Sequence, residues 1–205
     1  MRSLIGLFIL LFAIVIHEYA HGWVAWRLGD ITAKLAGRLT LNPLAHIDPI
    51  GTVLLPAMLM IMNFPVIFGW ARPVPVDFAS LNNPKKDIIW VGLSGPIANL
   101  FLAILLSFIL KLFIVRNGYY NPLIVVLNTA ILTNLVFAIF NLIPIPPLDG
   151  SRVMIGLLPR DLAIIYSRLE PYGFIIIFSL LYLGIVGKII WPFITYLAQI
   201  LGVTL

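Results

Sequence analysis

The chain contains no cysteine. Disulfides, thiolate metal ligands and cysteine nucleophiles are therefore excluded. Charge is almost as scarce: 8 acidic and 13 basic side chains among 205 residues, 10% in all, where a soluble domain carries about 25%. So few charges cannot cover a water-facing surface. With 61% hydrophobic residues and a mean hydropathy of +1.08, the chain is an integral membrane protein. Soluble enzymes, disordered tails and nucleic-acid binders are excluded on the same ground. The net charge of +5 bears on orientation in the bilayer rather than on nucleic acid. Histidine is limited to His17, His21 and His46, and no internal repeat or low-complexity segment is present. The length suits a single integral-membrane domain, residues 1–205.

A span needs about 20 apolar residues. Uncharged runs at 50–71, 88–110, 117–148 and 171–187 qualify, as does 3–26, interrupted only by His17, Glu18 and His21. Residues 189–205 form either a sixth span or a helix lying in the interface. Arg2 followed by an apolar run resembles a secretory signal, but cleavage after Ala20 would put Glu18 where a small residue is required, so 3–28 is expected to be a retained helix. Trp23, Trp26, Trp70 and Trp191 lie near segment ends, as interface anchors do. In Arg72-Pro73-Val74-Pro75-Val76-Asp77, prolines at alternate positions strip donors from one edge of the backbone. That suits an extended segment or edge strand, not a helix. Residues 151–170, with Arg152, Arg160 and Arg168, suit a short amphipathic helix. The expected fold is an all-α polytopic membrane protein of five to six membrane segments, with a re-entrant or hairpin insertion and short extended strands near its site.

One cluster of ionisable groups falls inside the first apolar run: His17-Glu18-Tyr19-Ala20-His21, an H-E-x-x-H sequence. Residues four apart share a helix face, so both imidazoles can address one metal ion. Glu18, about 100° around the helix from His17, is within reach of a water attacking there. This is the zinc metallopeptidase arrangement. Five-residue motifs do arise by chance, but ionisable side chains inside a membrane segment each cost roughly 3 kcal/mol on insertion scales, and a bound metal offsets that cost. A catalytic zinc takes a third protein ligand and keeps one position open. Asp149 follows the proline-broken stretch Pro144-Ile145-Pro146-Pro147-Leu148, and irregular backbone in a membrane is tolerated where it lines a cavity. The same aspartate suits the N-cap of a helix beginning at Ser151. Residue chemistry leaves both roles open.

With further motifs added, the chain resembles the site-2 protease family of intramembrane zinc metallopeptidases, in its short form without PDZ or CBS domains. The motifs are His17–His21, the run from Asn42-Pro43 through His46 to Asp48-Pro49, Gly69-Trp70-Ala71-Arg72-Pro73-Val74-Pro75-Val76, Ser94-Gly95-Pro96-Ile97-Ala98-Asn99, and Asn141 through Asp149-Gly150. The final 35 residues carry none. The resemblance implies that Asp149 completes a ligand set with His17 and His21 for one Zn²⁺ per chain, and that Glu18 is the general base. It also implies that Asn141 lies near the substrate, and that Gly95 and Asn99 let the third helix pack beside the active site. The activity it implies is endopeptidase cleavage of transmembrane segments of membrane proteins. Val74 and Val76 would then flank an unwound substrate by strand addition.

Two helices whose C-terminal ends share one metal run parallel, with one net crossing between them. Residues 88–110 supply that crossing, so 50–69 is expected to return to its starting side. Arg27, Lys34, Arg38, Arg72, Lys85, Lys86, Arg152, Arg160 and Arg168 then share one side, against Arg2, Lys111 and Arg116 on the other. The positive-inside rule makes the first side cytoplasmic, with the zinc site toward it.

His46 is open between a fourth ligand, a group supporting the ligands and a loop residue. Gly92-Leu93-Ser94-Gly95 resembles the serine motif of rhomboid intramembrane peptidases. That chemistry needs a histidine base, which in rhomboids follows the serine; here every histidine precedes it. Ser94 instead suits a cap near a helix start. A metal transporter or zinc-bound scaffold is disfavoured by the lack of repeats and by ionisable groups confined to the first helix and Asp149. A structural zinc also has no use for Glu18.

Overall fold

The computed structural model describes residues 2–62, 71–117 and 122–203. Its helices are α1 (Arg2–Arg27), α2 (Thr32–Leu35), α3 (Leu55–Ile61), α4 (Pro84–Asn117), α5 (Pro122–Asn141), α6 (Asp149–Leu157), α7 (Arg160–Ser167), α8 (Gly173–Tyr182) and α9 (Ile185–Ile200). No β-strand occurs among the described residues. Residues 71–77 are extended, as the alternating prolines require, but lie unpaired with any strand.

Among the described residues, four stretches are long and apolar enough to cross a bilayer: Ile5–Arg27, Pro84–Val115, Pro122–Asn141 and Arg160–Tyr182. The last joins α7 to α8 through a tight turn at Glu170–Tyr172. Gly184, at φ +68°, then ends the apolar run that a hydropathy profile reads as continuous. The 16 residues of α9 reach about 24 Å, short of the ~30 Å hydrocarbon core. The amphipathic stretch 151–170 is two helices, α6 and α7, parted at Pro159.

Helix α4 is the axis of the bundle, packing on α1, α5 and α6. Ala103 and Leu110 of α4 meet Ile124, Leu127, Ile131 and Leu135 of α5 in a core closed by Ala198 of α9. The outer faces remain apolar: Phe8, Phe12, Phe101 and Phe108 are exposed, as lipid-facing residues are. At the end of α1 the Arg27 guanidinium lies 5.1 Å from the Trp23 ring, and the Lys34 ammonium 4.8 Å from that of Trp26. This aromatic and basic collar suits a membrane boundary.

Between α1 and α4 the chain makes an excursion that is closed at its base. Asn82 N–H donates to the Leu28 carbonyl (2.8 Å), and Asp77 N–H donates to Asp30 Oδ2 (2.8 Å). Buried Asp30 also accepts from Thr32 N–H at 2.8 Å. Further out, Arg72 N–H donates to the His46 carbonyl at 2.9 Å. The start of α4 is thereby held beside the end of α1. Within the excursion, Pro49–Leu54 form a π-helical turn leading into α3. The remainder of the expected re-entrant segment, together with Gly69 and Trp70, lies outside the described residues.

Helix α4 starts at Pro84, with Asp87 accepting from Asn83 N–H at 2.7 Å. Ser94 is thus ten positions inside the helix, and the expectation that it caps a helix start is overturned. Its buried hydroxyl donates to the Val91 carbonyl at 2.6 Å.

Candidate metal centre

His17 and His21 stand one turn apart on α1, their ring centroids 4.6 Å apart. His21 Nδ1–H donates to the Val91 carbonyl of α4 at 2.7 Å. A carbonyl only accepts, so the proton is on Nδ1, and in the neutral ring Nε2 carries the lone pair. His17 Nδ1 lies 2.7 Å from Asn99 Oδ1, likewise an acceptor. The two Nε2 atoms are 3.0 Å apart. Asp149 Oδ2 is 2.9 Å from Nε2 of His17, and Oδ1 is 3.3 Å from that of His21.

With both imidazoles neutral, two Nε2 lone pairs and two carboxylate oxygens face one point, an arrangement that a cation among them would hold together. The three residues form a group able to hold a metal ion, with their ligand atoms within 4.8 Å of one another. Two imidazole nitrogens and a carboxylate suit a zinc ion with one position left open.

Asp149 lies beside the histidines and makes no cap. It is the first residue of α6, Leu148 stands at the N-cap, and no side-chain cap is made. The carboxylate instead reaches His17 across 132 residues of sequence. Gly95 of α4 lies directly behind both rings: a Cβ there would come within 2.5 Å of His21 Nε2 and 2.6 Å of His17 Nε2. Gly95→Ala is therefore expected to displace the rings and lower metal content, while the helix, which favours Ala over Gly by about 1 kcal/mol, keeps its thermal stability. Metal analysis beside a melting curve checks this; full metal occupancy in the variant would refute the packing.

A cleft of about 490 Å³ opens in front of the group. Glu18, Val74, Val76, Asn141 and Asp149 all line it. The Glu18 carboxylate accepts from Val74 N–H at 2.7 Å, which ties the extended segment to the helix carrying the histidines. Asn141 Nδ2 donates to the Phe137 carbonyl of its own helix at 2.9 Å. Gly95 and Asn99 do not line the cleft; Gly95 backs both rings and Asn99 is buried against His17. His46 is outside the metal group as well. It is buried, and its Nε2–H donates to the Thr40 carbonyl at 2.9 Å, pinning the loop that Arg72 N–H meets.

Arg152, which the motifs did not single out, also lines the cleft. It pairs with Glu170 at 2.6 Å and lies 5.3 Å from the Phe78 ring. Its position one turn after Asp149 was the available signal.

Fold and site together define a protein with four apolar helices of membrane-spanning length and a His-His-Asp group able to hold a metal ion, with a carboxylate alongside. Comparison with known proteins extends this. A sequence profile of Peptidase family M50 matches residues 119–183, reaching past the last motif read from the sequence. The chain is 37% identical over 191 residues to "Putative zinc metalloprotease YwhC" of Bacillus subtilis, covering 89% of this chain and 82% of that protein. It is 30% identical over 188 residues to "Putative zinc metalloprotease Rip2" of Mycolicibacterium smegmatis, covering 87% and 69%. No solved structure gives a significant match. The chain belongs to Peptidase family M50, the site-2 protease family, and is a metallopeptidase.

Proposed function

We propose that the protein is a zinc-dependent intramembrane endopeptidase that cleaves transmembrane segments of membrane proteins. One observation carries this: Glu18 and the three candidate ligands share a cleft well inside a helix of bilayer-spanning length. His21 and His17 lie six and ten residues before Arg27, or about 9 and 15 Å from the end of α1. The names of the relatives and the donor set both support zinc, held by His17, His21 and Asp149.

When bound, the ion supplies Lewis-acid polarisation of the scissile carbonyl and acidifies water at the site. Glu18 takes the proton of the attacking water and returns it to the leaving amine nitrogen. The Val74 amide occupies one Glu18 oxygen and leaves the other for that transfer. A helical substrate hides its carbonyls in i→i−4 bonds, so it unwinds locally before attack. The unwound strand lies along residues 74–76 of the extended segment, and Asn141 holds its backbone from the opposite wall. The basic residues at the cleft end of the bundle favour a cytoplasmic site.

Reconstituted protein is expected to cut a membrane-protein substrate at a bond within its transmembrane segment, with the termini mapped by mass spectrometry. Cuts confined to the substrate's water-exposed loops would sink the intramembrane assignment. Sidedness is read with single cysteines in a chain that has none. Placed at Lys34, Lys85, Asn117 and Arg160, only the one at Asn117 is expected to react with an impermeant thiol reagent in intact cells. Labelling at Lys85 would reverse the assignment.

A further inference from the structure

On the side of His17 away from the cleft, polar side chains from three helices form a continuous chain: His17 of α1, Asn99 of α4 and Asn134 of α5. Asn99 is fully buried and Asn134 is 2% exposed. Buried amides in membrane helices are costly and persist where they have partners. Here they have them. Asn99 Nδ2 donates its two hydrogens to the Ala13 carbonyl (3.1 Å) and to Asn134 Oδ1 (2.8 Å). Asn134 Nδ2 donates to the Ala130 carbonyl of its own helix at 2.8 Å, which turns Oδ1 toward Asn99.

The direction of the chain follows from its ends. Ala130 and Ala13 offer carbonyls, which only accept, so each must be met by an NH₂ group. With Asn134 Oδ1 facing Asn99, the Asn99 nitrogen must face it in turn, and Asn99 Oδ1 is left for His17. An acceptor at Nδ1 requires the Nδ1–H tautomer and so aims the Nε2 lone pair at the ligand cluster. Rotating the Asn99 amide by half a turn would set its oxygen against two acceptors. It would also present NH₂ to His17 Nδ1, driving the ring proton to Nε2 and into the cluster. His21 needs no such device, because its partner is the Val91 backbone carbonyl, which cannot exchange donor for acceptor.

We infer that Asn99 and Asn134 are positioning residues of the metal centre: an oriented amide pair that holds His17 in the ligating tautomer, with its far member, Asn134, outside both the metal group and the cleft. The inference rests on His17 being a metal ligand.

Its test is zinc affinity, measured by chelator competition on the purified protein, with the visible spectrum of the cobalt-substituted protein as a second readout. Loss of a partner behind a ligating histidine lowers metal affinity about 10–100-fold. Asn99→Leu is expected to fall in that range. Asn99→Asp, which keeps an acceptor toward His17, is expected to bind several-fold more tightly than Asn99→Leu. Asn134→Leu, which frees Asn99 to turn, is expected to weaken zinc about tenfold, the lower end of the same range, and Asn134→Asp to restore most of it. The cobalt bands should weaken and shift in the two leucine variants only. Thermal unfolding of the metal-free variants is recorded alongside, since a packing role would lower stability in all four without separating aspartate from leucine in affinity. Unchanged affinity in Asn134→Leu, or equal affinity in the aspartate and leucine variants, overturns the proposal. Should the Asn99 variants fail to fold, the Asn134 pair decides. His17→Ala is the control: zinc bound by it as tightly as by the unmodified chain would remove His17 from the site itself, a failure distinct from that of the amide pair.

Discussion

Glu18→Gln is expected to lower peptide cleavage by about 10²–10⁴-fold, the usual contribution of a positioned general acid–base, while zinc content stays that of the unmodified chain. Glutamine keeps the size of the side chain and an oxygen that can still accept from Val74 N–H, so the extended segment should remain in place. What is lost is the capacity to take a proton. Turnover of a transmembrane substrate, measured beside metal content, separates the two effects. Near-normal turnover would remove Glu18 from the chemistry. A biological role retained by the inactive variant would instead favour a scaffold.

Asp149→Ala is expected to release the metal. Removing the carboxylate leaves two nitrogens of the three-residue set, so affinity should fall further than the roughly 10–100-fold that loss of a supporting partner brings. The helix should survive: Asp149 contributes no side-chain cap to α6, so its truncation takes nothing from the helix end but a favourable first-turn charge, worth about 0.3–1 kcal/mol. Full zinc occupancy in the variant, by metal analysis, would strike Asp149 from the ligand set and turn attention to His46.

The H-E-x-x-H face was legible because it depends on helix periodicity alone, and α1 is an uninterrupted helix through the motif. Asp149 was half legible. A carboxylate next to a helix start serves equally as cap or ligand, and only the tertiary fold could bring it to His17. Helix limits were misplaced where hydropathy and helicity part company. The charged turn Pro84–Asp87 is helical but not apolar, which put Ser94 at a helix start it does not occupy. The proline run 144–147 is apolar but not helical, so α5 ends at Asn141. Asn134 passed unnoticed as one amide in an apolar helix, although a lone polar residue at membrane depth is itself a signal. Prolines 73 and 75 foretold an extended chain correctly, but they could not foretell whether a strand would lie beside it, since pairing is a property of two segments.

The hydrogen bonds joining residues 28–30 to 77–82 have a bearing on how such a chain can change over time. They form a neck, and everything beyond it is a loop whose ends are already fixed. Loop-closure entropy grows only logarithmically, so doubling such a loop costs about 0.6 kcal/mol. Segments of quite different length could hang from the same neck without disturbing the two helices, α1 and α6, that carry the candidate ligands. The loop also delivers Val74 to Glu18, so its interior can vary freely only while its returning arm keeps register. The neck thus divides the chain into a part free to acquire new length, and with it new means of selecting substrates, and a part that must stay as it is.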